Sequence, residues 1–374
     1  MKQLLISSDS FLPRWDGIAR FLIEILPYVA EEFETSCVVP CFKGRKPKLP
    51  KVKLIRFPLS RIKIADYVFA KPEKKKLKEL IQQADIVWTH TIGPIGRSTI
   101  LLSSKLKKPV ISYVHSVEWE LFSRSLRCKH LRSPVYTLTK MYAAWIYNKT
   151  KLVMLPTLEM AELMKKNRIK TSYKIVFLGV NTSKFKPPGD KAKAKESIGL
   201  SSKERIVGYI GRIGREKDLV TLYRAYLRLR TKLGNTKLLI VGSGVRDWEH
   251  LFSSKKDIIR IESKNDILKY YQALDVYVLP SLTETTSLST MEAMACGVPV
   301  VVTKVGHLRD YVTHGVNGFF FEKQNPYQLS KLLEKLFRDD TLREQLSRAA
   351  RNTIASMYSF EKTANDVLSV LRSF

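Results

Sequence analysis

The chain reads as α/β, with two Rossmann-like, doubly wound parallel-sheet domains in series. Three observations predict this. Short apolar, β-branched runs alternate with longer amphipathic ones. That alternation pauses once, at NTSKFKPPGDKAKAKES (181–197), and then restarts. The length, 374 residues, suits two domains at roughly 100–200 residues each.

The runs predict strands at 4–8, 35–40, 53–57, 85–89, 109–114, 151–156 and 174–178 in the first half. The second half gives 205–210, 237–242, 258–261, 275–280, 299–303 and 318–321. Their uninterrupted apolar character suits parallel strands covered on both faces. Two prolines, a glycine and a charge run make 181–197 a linker candidate; an ordinary surface loop is the alternative. The domains are therefore expected at 1–180 and 181–360, with a closing helix in 361–374 packing back toward the first domain.

Composition narrows the classes. No run reaches the ~18–20 apolar residues of a membrane span. The start, MKQLLISSDS, turns polar too soon for a secretory leader and reads as a first buried strand. Cys37, Cys41, Cys128 and Cys296 are scattered, as in a reduced cytosolic protein, and no metal site is expected from them. The formal charge of +30 requires an anionic partner without naming it. From Lys43 to Lys78 fourteen Lys and Arg face only Asp66 and Glu73.

The segment PSLTETTSLSTMEAMACGVPVV (280–301) carries the most specific chemistry. A strand ends at Pro280, a polar loop holds Glu284, and a helix follows with Glu292 in its early turns. Backbone N–H groups around Thr286, Ser287 and Leu288 would open that helix and could receive an anion. A carboxylate such as Glu292 can accept two hydrogen bonds from a vicinal diol, as ribose offers. In GYIGRIGREKDLVTLYRAY (208–226), Arg212 and Lys217 flank a second helix start near Asp218. Two cations at such a place suit a diphosphate leaving group; two solvated surface cations are the plain alternative.

These segments resemble glycosyltransferase family 4, retaining enzymes of GT-B architecture, in which two Rossmann-like domains flank a cleft. Glu284, seven residues, Glu292 and then ACGVPVV match the family's paired glutamates and G-x-P-V-V. Gly211-Arg212 and Lys217 match GR-x(4)-K. LLIVGSG (238–244), LGVNTSKFKP (178–187) and HGVNGFFF (314–321) match further family segments, and SDSFLPRWDGIARF (8–21) resembles the N-terminal F-x-P…G-G-I loop. The resemblance runs through nearly the whole chain in order and is stronger in the second half.

The resemblance implies these roles. Arg212 and Lys217 would neutralise the diphosphate, and Glu292 would bind the ribose hydroxyls. Glu284 would contact the transferred sugar. Ser287 and Leu288 would offer N–H groups, Gly17 would let the N-terminal loop approach the phosphates, and Gly242 and Glu262 would lie near the nucleotide, with Ser263 and Lys264 beside its base. His115 would stand near the donor sugar and reaction centre; His90 and Asp16 would lie on the acceptor side. Gly242 has a simpler reading as a tight-turn glycine, and each histidine as a satisfied strand-end residue. The implied reaction is retaining hexosyl transfer from a UDP- or GDP-sugar. The leaving phosphate would help deprotonate the acceptor, and with no D-x-D motif no divalent ion or other cofactor is expected. Departures cluster in the donor loop. E-G-F-G-L reads Glu284-Thr-Thr-Ser-Leu288, the first glycine of the N-terminal pair is Asp16, and G-G-x-x-E reads VGHLRDY.

Region 118–151 mixes Trp119, Phe122, Tyr136, Tyr142, Trp145 and Tyr147 with Arg124, Arg127, Lys129, Arg132 and Lys140. With 43–78 it would suit an anionic membrane surface and a lipid acceptor, such as a diacylglycerol, archaeal-type or phosphoinositide-like lipid. A solvated helix face over core aromatics is the alternative, and part of the charge would also suit a thermophile's lysine-rich surface. A soluble sugar, sugar-phosphate or polysaccharide acceptor is the nearer rival. A nucleic-acid binder rests on charge alone, without a supporting motif. A cytoplasmic monomer, peripheral on the inner membrane face, is the expected setting.

Overall fold

In the computed structural model, all residues are described except 15, 45–46, 65–66, 127, 245–256 and 263–265. Arg45 and Lys46 of the basic stretch, and Asp66, Arg127, Ser263 and Lys264 named above, lie outside the described residues. The chain divides into two compact units. Met1–Phe177 with Ala364–Phe374 forms one, and Leu178–Thr363 the other.

The first unit is built on a parallel sheet of seven strands. These are β1 (Gln3–Ser7), β2 (Glu34–Pro40), β3 (Val52–Phe57), β6 (Ile86–Thr89), β7 (Val110–Tyr113), β8 (Leu152–Leu155) and β9 (Tyr173–Ile175), in the order β3-β2-β1-β6-β7-β8-β9. A separate antiparallel hairpin, β4 (Leu59–Ile64) with β5 (Tyr67–Ala70), stands in the basic stretch. The sequence reading missed it. The second unit is a six-stranded parallel sheet: β10 (Arg205–Ile210), β11 (Thr236–Val241), β12 (Ile258–Ile261), β13 (Val276–Leu279), β14 (Val300–Thr303) and β15 (Gly318–Phe321). Their order is β12-β11-β10-β13-β14-β15. Each sheet starts at its centre and winds first one way, then the other, so each is doubly wound.

The apolar runs become strands because both faces are covered: every residue of β6, β7, β8, β13 and β14 is buried. Small residues let the backbone close up. A Cβ on Gly208 in β10 would stand 2.1 Å from a Leu274 methyl, and one on Gly179 would stand 2.4 Å from the Ser359 carbonyl. The second approach closes a bridge between Val180 and Ser359.

The expected linker is no free tether. Phe185 is buried, Arg351 Nη1 donates to the Thr182 and Phe185 carbonyls at 3.2 and 2.8 Å, and Lys195 pairs with Asp275 at 2.8 Å. Segment 181–197 thus belongs to the body of the second unit. Its charge run misled because Lys195 is 6% exposed and pairs with the largely covered carboxylate of Asp275. The last helix, Phe360–Arg372, ends in the first unit, where Arg372 Nε donates to Glu32 at 2.7 Å.

Candidate active site

In open α/β sheets, ligands gather beyond the carboxyl ends of the strands, at the point where the winding reverses. In the second unit that point lies between β10 and β13, which pair through Val207↔Val276 and Gly208↔Tyr277. The loops leaving those two strands carry Gly211–Lys217 and Ser281–Ser287, so topology brings together two motifs about seventy residues apart.

Their contact is direct. Lys217 Nζ bonds Glu284 Oε1 at 2.5 Å, and Ser281 Oγ donates to the same oxygen at 2.7 Å. The side chains of Lys217 and Glu284 are 17% and 8% exposed, so this pair is well shielded from solvent screening. The backbone fixes the frame: Leu282 N donates to the Glu216 carbonyl at 2.8 Å, and Thr303 Oγ1 to the Ser281 carbonyl at 2.5 Å. Arg212 is mostly exposed and pairs with Glu216. Both cations singled out by sequence therefore already hold a carboxylate.

Ser287 is the N-cap of helix Leu288–Ala295; its hydroxyl accepts from Thr290 N at 3.3 Å. Among the described residues the N–H groups of Leu288 and Ser289 have no acceptor, and buried Thr286 Oγ1 has no hydrogen-bond partner. Two donors at a positive helix end beside an unsatisfied hydroxyl form a place for an anion. Glu292, on the same helix, is 1% exposed, and its Oε2 accepts from the Tyr271 hydroxyl at 2.7 Å. A diol would reach Glu292 only by displacing what now covers it.

Gly242 has the tight-turn role: at φ +149°, an added Cβ would fall 1.9 Å from the Gly211 carbonyl. Glu262 lies exposed just past β12. Sequence reading missed Tyr271, Gly306 and His307. Gly306 has φ +50°, and its Cβ would stand 2.1 Å from the Glu284 carbonyl; His307 N donates to the Thr285 carbonyl at 3.0 Å. The available signal was the glycine in VGHLRDY, read above only as a departure from a family pattern. Burial lowers the His307 imidazole to about 4.

The first unit holds a second cluster. His90 ends β6 and His115 follows β7, and adjacency of those strands places His90 Nδ1 3.0 Å from His115 Nε2. Phe21, Trp88 and Tyr113 surround the pair. Burial lowers His115 to about 3; burial, and then the neighbouring His115, hold His90 well below the ordinary range. Both rings are therefore neutral near pH 7, one nitrogen donating to the other. His90 Nε2 has no partner among the described residues.

Asp16 caps helix Gly17–Glu32 by accepting from Ala19 N at 2.9 Å, and lies 3.7 Å from Arg14. Gly17 opens that helix, with nothing within 4 Å of an added Cβ. At the reversal point of this sheet, the start of helix Pro94–Lys105 is already filled. Asp9 accepts from Ile95 N at 2.8 Å, Gly96 N at 3.1 Å and Thr91 Oγ1 at 2.7 Å. An internal carboxylate thus fills the helix start in the first unit.

Known families match both halves of the chain. Residues 190–353 match the family described as glycosyl transferases group 1, and residues 15–184 match glycosyltransferase family 4. An uncharacterized glycosyltransferase of Methanocaldococcus jannaschii is 29% identical over 209 residues, 53% of each chain. A D-inositol 3-phosphate glycosyltransferase of Thermobifida fusca is 30% identical over 213 residues, 53% of this chain and 49% of its own. The chain thus spans about half the length of the curated relatives it matches. The fold is shared with Anabaena HepE, solved in complex with UDP and glucose, at TM-score 0.79 and 16% identity over 100% of both chains.

Proposed function

This chain belongs to glycosyltransferase family 4, and we propose that it moves a hexose from a UDP- or GDP-sugar to a hydroxyl acceptor, with retention of configuration and without a divalent ion. Nucleotide-sugar chemistry is the family's own; the hexose, the base and the stereochemistry are the finer reading. The observation that carries it is the loop–helix unit Glu284–Glu292, whose free N–H groups and unsatisfied Thr286 hydroxyl adjoin Lys217. A nucleoside diphosphate would use the helix end and Arg212 for its phosphates. Glu292 would hold the ribose, with Tyr271 steadying its other oxygen.

In the reaction the bond from the anomeric carbon to the phosphate oxygen breaks, and the acceptor oxygen bonds that carbon. The acceptor proton passes to the departing phosphate. Charge grows on the leaving diphosphate, so donors aimed at it act most strongly in the transition state. Glu284 would receive sugar hydroxyls, held for that by Lys217 and Ser281. His115 and His90, both neutral, would orient hydroxyl groups by hydrogen bonding rather than by charge, and Gly17 would admit the phosphates to the first helix of that unit.

For the acceptor we favour a lipid on an anionic membrane surface, with the enzyme peripheral on the cytoplasmic face. A soluble acceptor is the second reading, favoured by the match to D-inositol 3-phosphate glycosyltransferases. The test is incubation with UDP-, GDP- and ADP-hexoses in chelator, following released nucleoside diphosphate and the anomeric configuration of the product by NMR. One nucleotide class turned over with retention is the expected result; inversion, or a requirement for added metal, would overturn the reading.

A further inference from the structure

Region 118–151 contains a feature that composition alone does not give. In helix Arg132–Tyr147, buried Ala143, Ile146 and Tyr147 face the core, where Tyr147 bonds the buried carboxylate of Glu118. The opposite side should be polar in a helix lying on a water-facing surface. Instead Leu131, Pro134, Leu138, Met141 and Trp145 are all exposed, at spacings of three and four that keep them on one stripe. Leu138 is 66% exposed, Met141 63% and Trp145 46%. With Leu121 on the neighbouring helix Glu118–Ser125, five of the eleven exposed large hydrophobic side chains among the described residues fall within 121–145. Scattered single apolar residues need no explanation, but a concentrated stripe does.

Charge identifies what covers it. Between Glu120 and Glu159 the sequence has no acidic residue and seven Lys or Arg. Of the two carboxylates on the neighbouring helix, Glu118 is buried and both stand in its first turn. Lys149 Nζ lies 5.2 Å from the Trp145 ring centre, and Lys140 Nζ 5.5 Å from that of Tyr136. Apolar side chains bordered by long cations, with an indole among them, match the boundary between acyl chains and anionic headgroups. An acidic protein partner would satisfy the cations but not an apolar stripe about 21 Å long on a sixteen-residue helix.

We propose that helix Arg132–Tyr147 is a membrane-docking element that lies in the plane of an anionic bilayer, its Leu131–Trp145 stripe inserted among the headgroups. This rests on the membrane reading above and assigns it to one helix rather than to the basic stretch 43–78. The helix is also tied to the acceptor side of its own unit. The Tyr142 hydroxyl donates to the Ile92 carbonyl at 2.6 Å, two residues after His90. Docking would thus hold the loop after β6 close to the lipid surface, where a lipid hydroxyl is presented.

The experiment compares wild type with the double variant Leu138→Glu/Met141→Glu in cosedimentation with phosphatidylcholine vesicles, with and without phosphatidylglycerol. Both side chains are mainly exposed, so the variant should fold, checked by an unchanged circular dichroism spectrum and Tm. Wild type should bind the mixed vesicles at low salt and lose binding at high salt, and the variant should bind roughly tenfold less. A variant in Lys43, Lys48 and Lys53 should lose much less. Equal binding by wild type and the stripe variant would overturn the proposal. So would equal binding to neutral vesicles, or a wild-type dimer that the variant abolishes without any vesicle binding. UDP and GDP titration of the same samples separates the readings: nucleotide binding without vesicle binding sinks the docking helix alone, and vesicle binding without nucleotide binding sinks the transferase assignment alone.

Discussion

Lys217 and Glu284, sixty-seven residues apart in sequence, meet at 2.5 Å in the loops of two adjacent strands. On the proposed function, the ammonium would reach a diphosphate only in competition with this carboxylate, which would itself receive sugar hydroxyls. Lys217→Ala would leave Glu284, 8% exposed, without its cation. Removing one partner of a shielded pair costs on the order of 3 kcal/mol, so Tm should fall by several degrees. Donor turnover should fall at least about a hundredfold, as for loss of a transition-state electrostatic contact. Lys217→Arg should restore Tm more fully than turnover, because the planar fork keeps the ion pair but not its position. Thermal melts and initial rates on the three proteins check both.

Arg212 pairs with Glu216 at the surface, where an i,i+4 ion pair contributes only about 0.4 kcal/mol. Glu216→Gln should release the guanidinium and tighten nucleoside diphosphate binding about twofold, with Tm nearly unchanged. Calorimetric titration reads the affinity; weaker binding would show that Glu216 itself supports the ligand.

Gly17 and Gly306 separate ligand space from fold space. Gly306→Ala sets a Cβ against the Glu284 carbonyl at a left-handed φ, and should cost about 2 kcal/mol while displacing the Glu284 loop. Gly17→Ala meets nothing within 4 Å in the free protein, and alanine favours helix by about 1 kcal/mol. Its Tm should hold or rise. A loss of donor affinity without loss of Tm in Gly17→Ala would report a ligand close to that backbone.

Two buried groups in the first unit titrate in opposite senses. Burial lowers His115 to about 3, so the unfolded chain binds the extra proton between its ordinary 6.5 and 3, and stability is lost as pH falls across that window. Burial raises Glu118 to about 7, against the lowering effect of its Tyr147 hydrogen bond. The native state then holds the extra proton between 4.5 and 7, and that stabilisation is full below 4.5 and lost as pH rises through 7. Relative to Glu118→Gln, wild type should lose up to about 3 kcal/mol between pH 5 and pH 8. Melting curves of the two proteins across that range test the sign directly.

Much of this architecture was legible because buried parallel strands leave an unambiguous mark. LLIVG and VVVT have no solvent face to dilute them. The hairpin at Leu59–Ala70 was missed because its alternation, LSRIKI, is embedded in a run of cations that reads as a solvated surface. Arg56, one of those cations, is half-buried and donates to the Leu12 and Pro40 carbonyls at 3.0 and 3.1 Å. Among the candidate site residues the pairing was not legible, since strand adjacency is what brings His90 to His115 and Lys217 to Glu284. Tyr271 is invisible in sequence because an aromatic in a short helix reads as core, which it also is.

Titration of wild type with UDP and GDP by calorimetry, in chelator, with Glu292→Ala and Thr286→Val alongside, tests the central claim most directly. One nucleotide should bind wild type with one-to-one stoichiometry, Glu292→Ala should abolish the signal, and Thr286→Val should weaken it. Nucleotide binding left intact in both variants would place the donor elsewhere and contradict the assignment of the 284–292 loop and helix.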